Sequence, residues 1–237
     1  MTGDAGFALS AQEWQVVTLS LKVSLVAVVL TLPVAYGLAW LLARRRFPGR
    51  LVLDALVHLP LVVPPVVTGW LLLIVFGRAG PVGAWLERTL GLTLVFRWTG
   101  AALAASIMAL PLMVRAMRLS IEAVDRRLVW AARSLGASPW RAFLTITLPL
   151  SAPGILAGAM LGFARSLGEF GATITFAANI AGETRTLPLA IYTGLQLPGA
   201  EMQVARLAII SIVLSIAALI VSEHLVRRSA GGRAHVL

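Results

Sequence analysis

Residues 130–149 read Trp-Ala-Ala-Arg-Ser-Leu-Gly-Ala-Ser-Pro-Trp-Arg-Ala-Phe-Leu-Thr-Ile-Thr-Leu-Pro, a basic and partly polar stretch in an otherwise apolar chain. Gly136 predicts a left-handed C-terminal stop of one helix. Ser138 and Pro139 predict an N-cap and a first-turn proline for a second helix, which leads into an apolar span. One amphipathic helix is predicted before the stop, because apolar side chains recur there at three- and four-residue spacing: Ile121, Val124, Leu128, Ala131, Ala132 and Leu135.

The composition indicates a membrane protein. Hydrophobic residues make up 59% of the 237 residues and charged residues 13%, whereas a soluble domain carries about 25% charged residues. The absence of cysteine excludes disulfides, thiol catalysis and cysteine metal sites. The net charge of +10 lies in short clusters between apolar spans, so we expect no nucleic-acid binding. No metal site is expected, since His58 lies far along the chain from the other two histidines.

Five apolar stretches approach the length of about 20 residues that a membrane helix needs. The fold class is therefore predicted to be an all-α polytopic membrane protein with about five transmembrane helices. The third stretch is the shortest and is rich in alanine. The predicted spans are 16–43, 51–76, 99–114, 150–177 and 204–226.

The distribution of arginine and lysine predicts the orientation of these spans. Thirteen basic residues fall in the loops and tail on one side, and four fall on the other. Because basic loops stay in the cytoplasm, the N-terminus is predicted outside and the C-terminus inside. Residues 1–14 are then an outer tail, 15–226 the membrane domain with a cytoplasmic loop at about 118–149, and 227–237 an inner tail.

Charged and hydroxyl side chains near the end of the fourth span are candidates for a pathway. Arg165 lies about 22 Å along a helix from the start of that span, well inside the bilayer. Its spacing to Glu169 allows an ion pair, which has either a structural role or a role in presenting positive charge to a passing oxyanion. Ser166 and Thr173 add neutral hydrogen-bond donors.

Two further features concern helix shape. Pro64 and Pro65 belong to a proline-rich run in the second span, and these prolines must break the helix. The break either helps to line or gate a pore or serves helix packing alone. Small residues recur every fourth position in the fourth span, which favours close helix packing, within one subunit or between two. These residues are Gly154, Gly158 and Gly162.

The stretch quoted first resembles the EAA loop of ABC-importer permease subunits. In that family the loop forms a cytoplasmic coupling helix that docks on the ATP-binding subunit. Trp130 stands where the family usually has glutamate. Over nearly its full length the chain resembles the molybdate permease subunits of this family, most specifically at 165–176 and also at 58–69 and 182–187. The coupling residues that match or flank the motif are Trp130, Ala131, Ala132, Gly136, Ser138, Pro139, Ile146, Leu148 and Pro149.

The resemblance implies a type I importer permease of the bacterial inner membrane that forms a homodimer. It implies docking of two ATP-binding subunits and delivery of molybdate, or tungstate, by a periplasmic binding protein. The chain has no phosphate-binding Gly-x-x-x-x-Gly-Lys-Ser/Thr loop, so ATP and Mg are used by the partner, and we expect no catalytic site or cofactor here. A sulfate or thiosulfate permease remains an alternative within the family. An ion-coupled secondary transporter and a membrane scaffold protein are alternatives outside it.

Overall fold

A computed structural model describes residues 9–231, except the side chains of 222, 223 and 225–231. Regular structure in this part of the chain is entirely helical. Residues 1–8 and 232–237 of the two expected tails lie outside the described residues. The helices are α1 Ala11–Arg44, α2 Arg50–Val62, α3 Pro65–Phe76, α4 Pro81–Leu90, α5 Trp98–Glu122, α6 Arg126–Ser134, α7 Pro139–Ala142, a π-helical turn Phe143–Thr147, α8 Leu148–Leu167, α9 Gly171–Phe176, α10 Leu187–Gly194 and α11 Glu201–Gly231.

The first helix begins at a capping box. Ser10 Oγ accepts a hydrogen bond from Glu13 N at 3.2 Å, and Glu13 Oε2 accepts one from Ser10 N at 2.7 Å. This arrangement satisfies backbone donors that the first helical turn leaves without partners. At 34 residues, α1 is about 51 Å long and exceeds the hydrocarbon core of a bilayer, about 30 Å thick. It is therefore long enough to cross the membrane.

Helices α1 and α5 run side by side in the same direction. Near their N-terminal ends, Lys22 Nζ lies 3.7 Å from the centroid of the Trp98 ring. Further along, Ser106 Oγ donates a hydrogen bond to Ala27 O at 3.3 Å. Completely buried alanines line the contact between the helices, which allows their backbones to approach closely. They include Ala27, Ala35, Ala39, Ala101, Ala105 and Ala109.

Helix α8 runs in the opposite direction to α5, and α11 runs in the direction of α1. Arg206, in the second turn of α11, pairs with Glu13 at the start of α1, with 2.9 Å between Nη2 and Oε1. Glu13 is almost fully buried, so the pair compensates a charge that would be costly to bury alone. We expected Glu13 in an outer tail and assigned Arg206 no contact; in the structure the two residues join the first helix to the last.

The direction of the helices fixes how the second predicted span must run. Since α1 and α5 are parallel, the chain between them has to cross back. That segment contains α2 and α3, which meet at a bend of 117°. Within residues 9–231, four helices are long and apolar enough to cross a membrane, and this bent pair makes five crossings if it counts as one. The chain is therefore a multi-pass membrane protein with about five spans, as predicted.

Three sequence-based boundaries need correction. The third span continues to Glu122, well past its predicted end at residue 114. The fourth does not run unbroken to residue 177: α8 ends at Leu167, and α9 begins at Gly171. Glu169, which lies between Gly168 and Gly171, caps the new helix, because its Oε1 accepts a hydrogen bond from Ala172 N at 2.8 Å. The third correction, in the loop at about 118–149, is described with the site.

Candidate functional site

The turn inside the quoted stretch has the predicted geometry. Gly136 has a φ of +90°, a left-handed conformation that favours glycine. Ala137 N donates to Ala132 O at 3.0 Å, closing the end of α6 over this glycine. Ser138 Oγ accepts from Arg141 N at 3.2 Å, and Pro139 opens α7. We call residues 126–142, which comprise α6, the turn and α7, the elbow.

The helix before this turn is shorter than predicted. A single helix from Ile121 to Leu135 was expected, but α5 ends at Glu122 and α6 begins at Arg126. Asp125 separates them, because its Oδ1 accepts a hydrogen bond from Arg127 N at 2.9 Å and caps α6. The apolar residues consequently form two sets rather than one stripe. Ile121 and Val124 are buried, whereas those of α6 are not.

The elbow projects from the helix bundle, and its surface combines exposed apolar side chains with arginines. No residue of α6 is buried against the rest of the chain. Trp130 is 63% exposed and Leu135 is 89% exposed. Large apolar groups in such a cluster mark a contact with another molecule. Around them lie exposed arginines: Arg126, Arg127, Arg133 and Arg141.

Arg44, the last residue of α1, ties the first helix to the end of α5 and to the turn that precedes the elbow. Its Nη2 donates hydrogen bonds to Ile121 O at 2.9 Å and to Val124 O at 3.0 Å. Ile121 lies in the last turn of α5, where the final carbonyl oxygens have no partner in the helix, and Val124 lies in the turn after it. The sequence suggested Arg44 only as one of several basic residues that set orientation. Only helix packing distinguishes it from Arg45 and Arg46.

An aromatic cluster holds α7 against α1. The Phe143 ring stacks on Trp140, with centroids 5.3 Å apart. It also meets Tyr36 and Trp40 edge-on at 6.0 and 6.4 Å. Such arrangements contribute beyond simple burial of area. Through Phe143, Trp40 and Trp140 thus connect α7 to the first helix.

The elbow continues directly into α8. The backbone of residues 143–147 forms a π-helical turn, in which Leu148 N bonds to Phe143 O. Ile146 and Leu148 are partly buried, and Pro149 lies on the surface in the first turn of α8. The helical path from Pro139 to Leu167 is continuous, so the elbow and α8 are joined without a break.

The glycine row of α8 packs within the subunit. A Cβ on Gly154 would overlap Ser120 Cβ of α5. One on Gly158 would lie 3.0 Å from Met117 Cε, and one on Gly162 would lie 2.6 Å from Met113 Sδ. The row therefore faces α5 of the same chain.

The candidate pathway residues differ strongly in exposure. Arg165 Nη1 and Glu169 Oε2 are 2.6 Å apart, but the arginine side chain is 25% exposed and the glutamate only 2%. Both Glu169 oxygens are occupied, since Oε1 caps α9. Ser166 and Thr173 are buried inside the subunit, and Ser166 Oγ has no hydrogen-bond partner among the described residues. Arg165 is therefore the member of this group whose charge reaches the surface.

The structure brings the proline break next to this ion pair. Helix α3 packs on α9, so that a Cβ at Gly171 would lie 2.7 Å from Pro65 Cβ. A Cβ at Gly69 would lie 2.7 Å from Ala172 O. Pro64 is the N-cap of α3. The two candidate pathway regions, far apart in sequence, thus form one contact.

At the end of the bundle opposite the elbow lies a polar cleft of about 310 Å³. Its walls include Gln12, Gln15 and Gln203. Arg185 also lines it, and its Nε donates to Asn179 Oδ1 at 2.9 Å. Residues 179–201 contribute much of this surface. Among the side chains that the structure describes, no His, Asp and Glu cluster could hold a metal ion.

Comparison with known proteins places these features in a family. Residues 7–231 match the family described as "Binding-protein-dependent transport system inner membrane component". The "Molybdenum transport system permease protein ModB" of Escherichia coli (strain K12) is 58% identical over 221 residues, which cover 93% of this chain and 96% of that protein. The "Sulfate transport system permease protein CysT" of the same organism is 38% identical over 195 residues, or 78% of this chain and 70% of that protein. A crystal structure of a bacterial ABC transporter that imports alginate superposes with a TM-score of 0.72 at 20% identity, covering 93% of this chain and 80% of that one.

Proposed function

The chain belongs to the family of binding-protein-dependent transport system inner membrane components, and we propose that it is the permease subunit of an ATP-driven importer of molybdate, with tungstate as a second substrate. The proposed substrate rests on the 58% identity to a molybdenum permease along almost the whole of both chains. The lower identity of 38% to a sulfate permease makes sulfate or thiosulfate the second candidate. Each of these relatives is a permease, and this chain is likewise a translocation subunit rather than an enzyme.

The elbow is proposed to dock on an ATP-binding subunit. Its exposed apolar side chains suit a protein groove, and its arginines suit an acidic rim. Trp130 is the largest exposed apolar group of α6 and would be the anchor of this contact. Two copies of the chain would carry two such elbows and engage two ATP-binding subunits, which would bind and hydrolyse ATP with Mg.

The orientation is proposed from charge. The elbow lies on the side with thirteen basic loop residues, so it faces the cytoplasm of a bacterial inner membrane. The polar cleft near Arg185 then faces the periplasm, where a molybdate-binding protein would deliver its anion. Because the chain has no native cysteine, a single cysteine at Ala137 reports this directly. It should react with a thiol reagent only from the cytoplasmic side.

Transport would follow from the geometry of the elbow. Closure of the two ATP-binding subunits would move α6 and α7, and the continuous helix from Pro139 to Leu167 would carry that movement to Arg165. The contact between α9 and the proline break would transmit the shift to α3. Arg165 would attract the oxyanion by its charge, while Glu169 keeps the guanidinium in place.

Reconstitution tests this proposal. The chain, its ATP-binding subunit and its binding protein are placed in liposomes, and uptake of labelled molybdate, tungstate and sulfate is measured with and without ATP. We expect ATP-dependent uptake in which molybdate is preferred to sulfate. Uptake driven by an ion gradient without ATP would point to a secondary transporter instead. ATP hydrolysis that no anion-loaded binding protein stimulates would favour a scaffold.

The docking contact has its own variant. Trp130→Ala should weaken binding of the ATP-binding subunit, whereas Trp85→Ala, which removes an equally exposed tryptophan from α4, should not. Equal binding by both variants would contradict the assignment of the elbow.

A further inference from the structure

A long apolar groove lies between α1 and α5 on the surface of the bundle. Its volume is about 480 Å³. Leu30 and Val34 remain 62% and 55% exposed, so the groove opens sideways. Its walls are mainly aliphatic, with Val26, Leu30 and Val34 from α1 and Leu103, Ile107 and Leu110 from α5.

A cation lies at one end of this groove. Lys22 is one helical turn before Val26, and its ammonium lies 3.7 Å from the centroid of the Trp98 ring, next to the groove residue Thr99. Lys22 is exposed and forms no ion pair with any carboxylate that the structure describes. An ammonium has three donors, so its contact with the indole leaves N–H groups free.

The position of Lys22 corresponds to the headgroup level of a membrane. Along α1, Lys22 precedes Arg44 by 22 residues, or about 33 Å, close to the thickness of the hydrocarbon core at about 30 Å. Arg44 starts the basic cluster that marks one interface, so Lys22 lies at the other. A tryptophan beside it is typical of this level.

The groove spans one leaflet. Val34, near its deep end, lies 12 residues beyond Lys22, or about 18 Å along the helix. Half of the hydrocarbon core is about 15 Å. An apolar channel of that length, headed by a free ammonium, matches a molecule with a negative head and a hydrocarbon tail.

We propose that this groove binds an anionic phospholipid, with one acyl chain between α1 and α5 and the headgroup phosphate at Lys22. The ammonium attracts the phosphate, and the aliphatic walls bury the chain. The site would fill the gap between the two parallel helices whose far ends hold the elbow. It requires only that the chain is embedded in a bilayer, so its test is independent of transport.

The first test counts bound lipids. The full chain is placed in nanodiscs of phosphatidylglycerol and phosphatidylcholine, extracted mildly and weighed by native mass spectrometry. Lys22→Met should lower the preference for phosphatidylglycerol roughly fivefold. Arg88→Met removes an exposed cation from α4 and should leave it unchanged. Equal retention of phosphatidylglycerol by wild type and Lys22→Met would overturn the proposal.

The second test identifies the occupant. A benzophenone amino acid replaces Leu30 in the groove or, as the control, Val29, which is exposed but does not line it. We expect the probe at Leu30 to attach to phosphatidylglycerol, and this attachment to fall in the Lys22→Met background. The probe at Val29 should attach to either lipid without depending on Lys22. Attachment of the Leu30 probe to a peptide of a second copy would show that a protein helix fills the groove and would refute the lipid site.

Discussion

Arg44 Nη2 donates a hydrogen bond to the carbonyl oxygen of Ile121 at 2.9 Å, so the end of the first helix caps the end of the fifth. The same nitrogen reaches Val124 O, in the turn that precedes the elbow. One guanidinium thus bridges two helices and the turn that precedes the elbow. The residues of the elbow itself are largely exposed, and the Phe143 cluster holds α7 against α1.

Removing the Arg44 bridge should uncouple ATP hydrolysis from transport. Arg44→Gln removes the guanidinium donor from both carbonyls. Ile121 O keeps Val124 N as a donor at 3.3 Å, whereas Val124 O loses this partner, and an unpaired buried group costs about 1–3 kcal/mol. The elbow would then move without carrying α5 and α1 with it. In proteoliposomes we expect the amount of molybdate imported per ATP hydrolysed to fall roughly threefold or more, because a less rigid connection transmits less of the elbow's movement. Arg46→Gln, which changes an exposed neighbour, is the control. If both variants import the same amount of molybdate per ATP hydrolysed, the Arg44 bridge has no role in coupling.

Gly136 should be required for the shape of the turn. Its φ of +90° disfavours a side chain, at a cost of about 1–2 kcal/mol for an L-residue. Gly136→Val should therefore weaken binding of the ATP-binding subunit roughly tenfold, measured by titration onto the reconstituted permease. Gly136→Asn should bind better than the valine variant, because asparagine tolerates this conformation. Undiminished affinity of Gly136→Val would show that the turn does not set the docking surface.

Arg165 should be needed for anion uptake and not for assembly. Arg165→Met alone leaves the buried Glu169 unpaired, at a cost of about 3–5 kcal/mol, so it is a poor test of function. The double variant Arg165→Met with Glu169→Gln removes both charges and keeps an oxygen for Ala172 N. We expect it to assemble normally but to lose most molybdate uptake. Glu169→Gln alone should retain uptake, and normal uptake by the double variant would leave the ion pair with a structural role only.

Gly154 should be intolerant of a side chain for steric reasons. Gly154→Ala places a methyl group into Ser120, and overpacking of this kind costs about 1–3 kcal/mol. The melting temperature of the purified chain in detergent should fall. Ser120→Gly in the same chain should restore part of the loss, because it removes the overlapping Cβ. Gly37→Ala, where a Cβ meets no atom within 4 Å, should not lower the melting temperature.

Local signals in the sequence were sufficient to predict the membrane class, the approximate number of spans and the turn at Gly136. Each depends on residues close together in the chain: runs of apolar side chains, prolines that lack a donor, and a glycine followed by a cap. The same kind of signal misled where two local preferences competed. An apolar period continued past residue 122, but Asp125 capped a new helix, and Glu169 did the same beyond α8.

Contacts between distant segments could not be obtained in that way. Nothing near Arg44 distinguishes it from the two arginines that follow, and nothing near Glu13 indicates Arg206. Which side chains meet depends on the direction and rotation of packed helices, and these are decided by the close approach of alanines and glycines along α1, α5 and α8. Periodicity along one helix specifies a face, but only the neighbouring helix determines what that face touches.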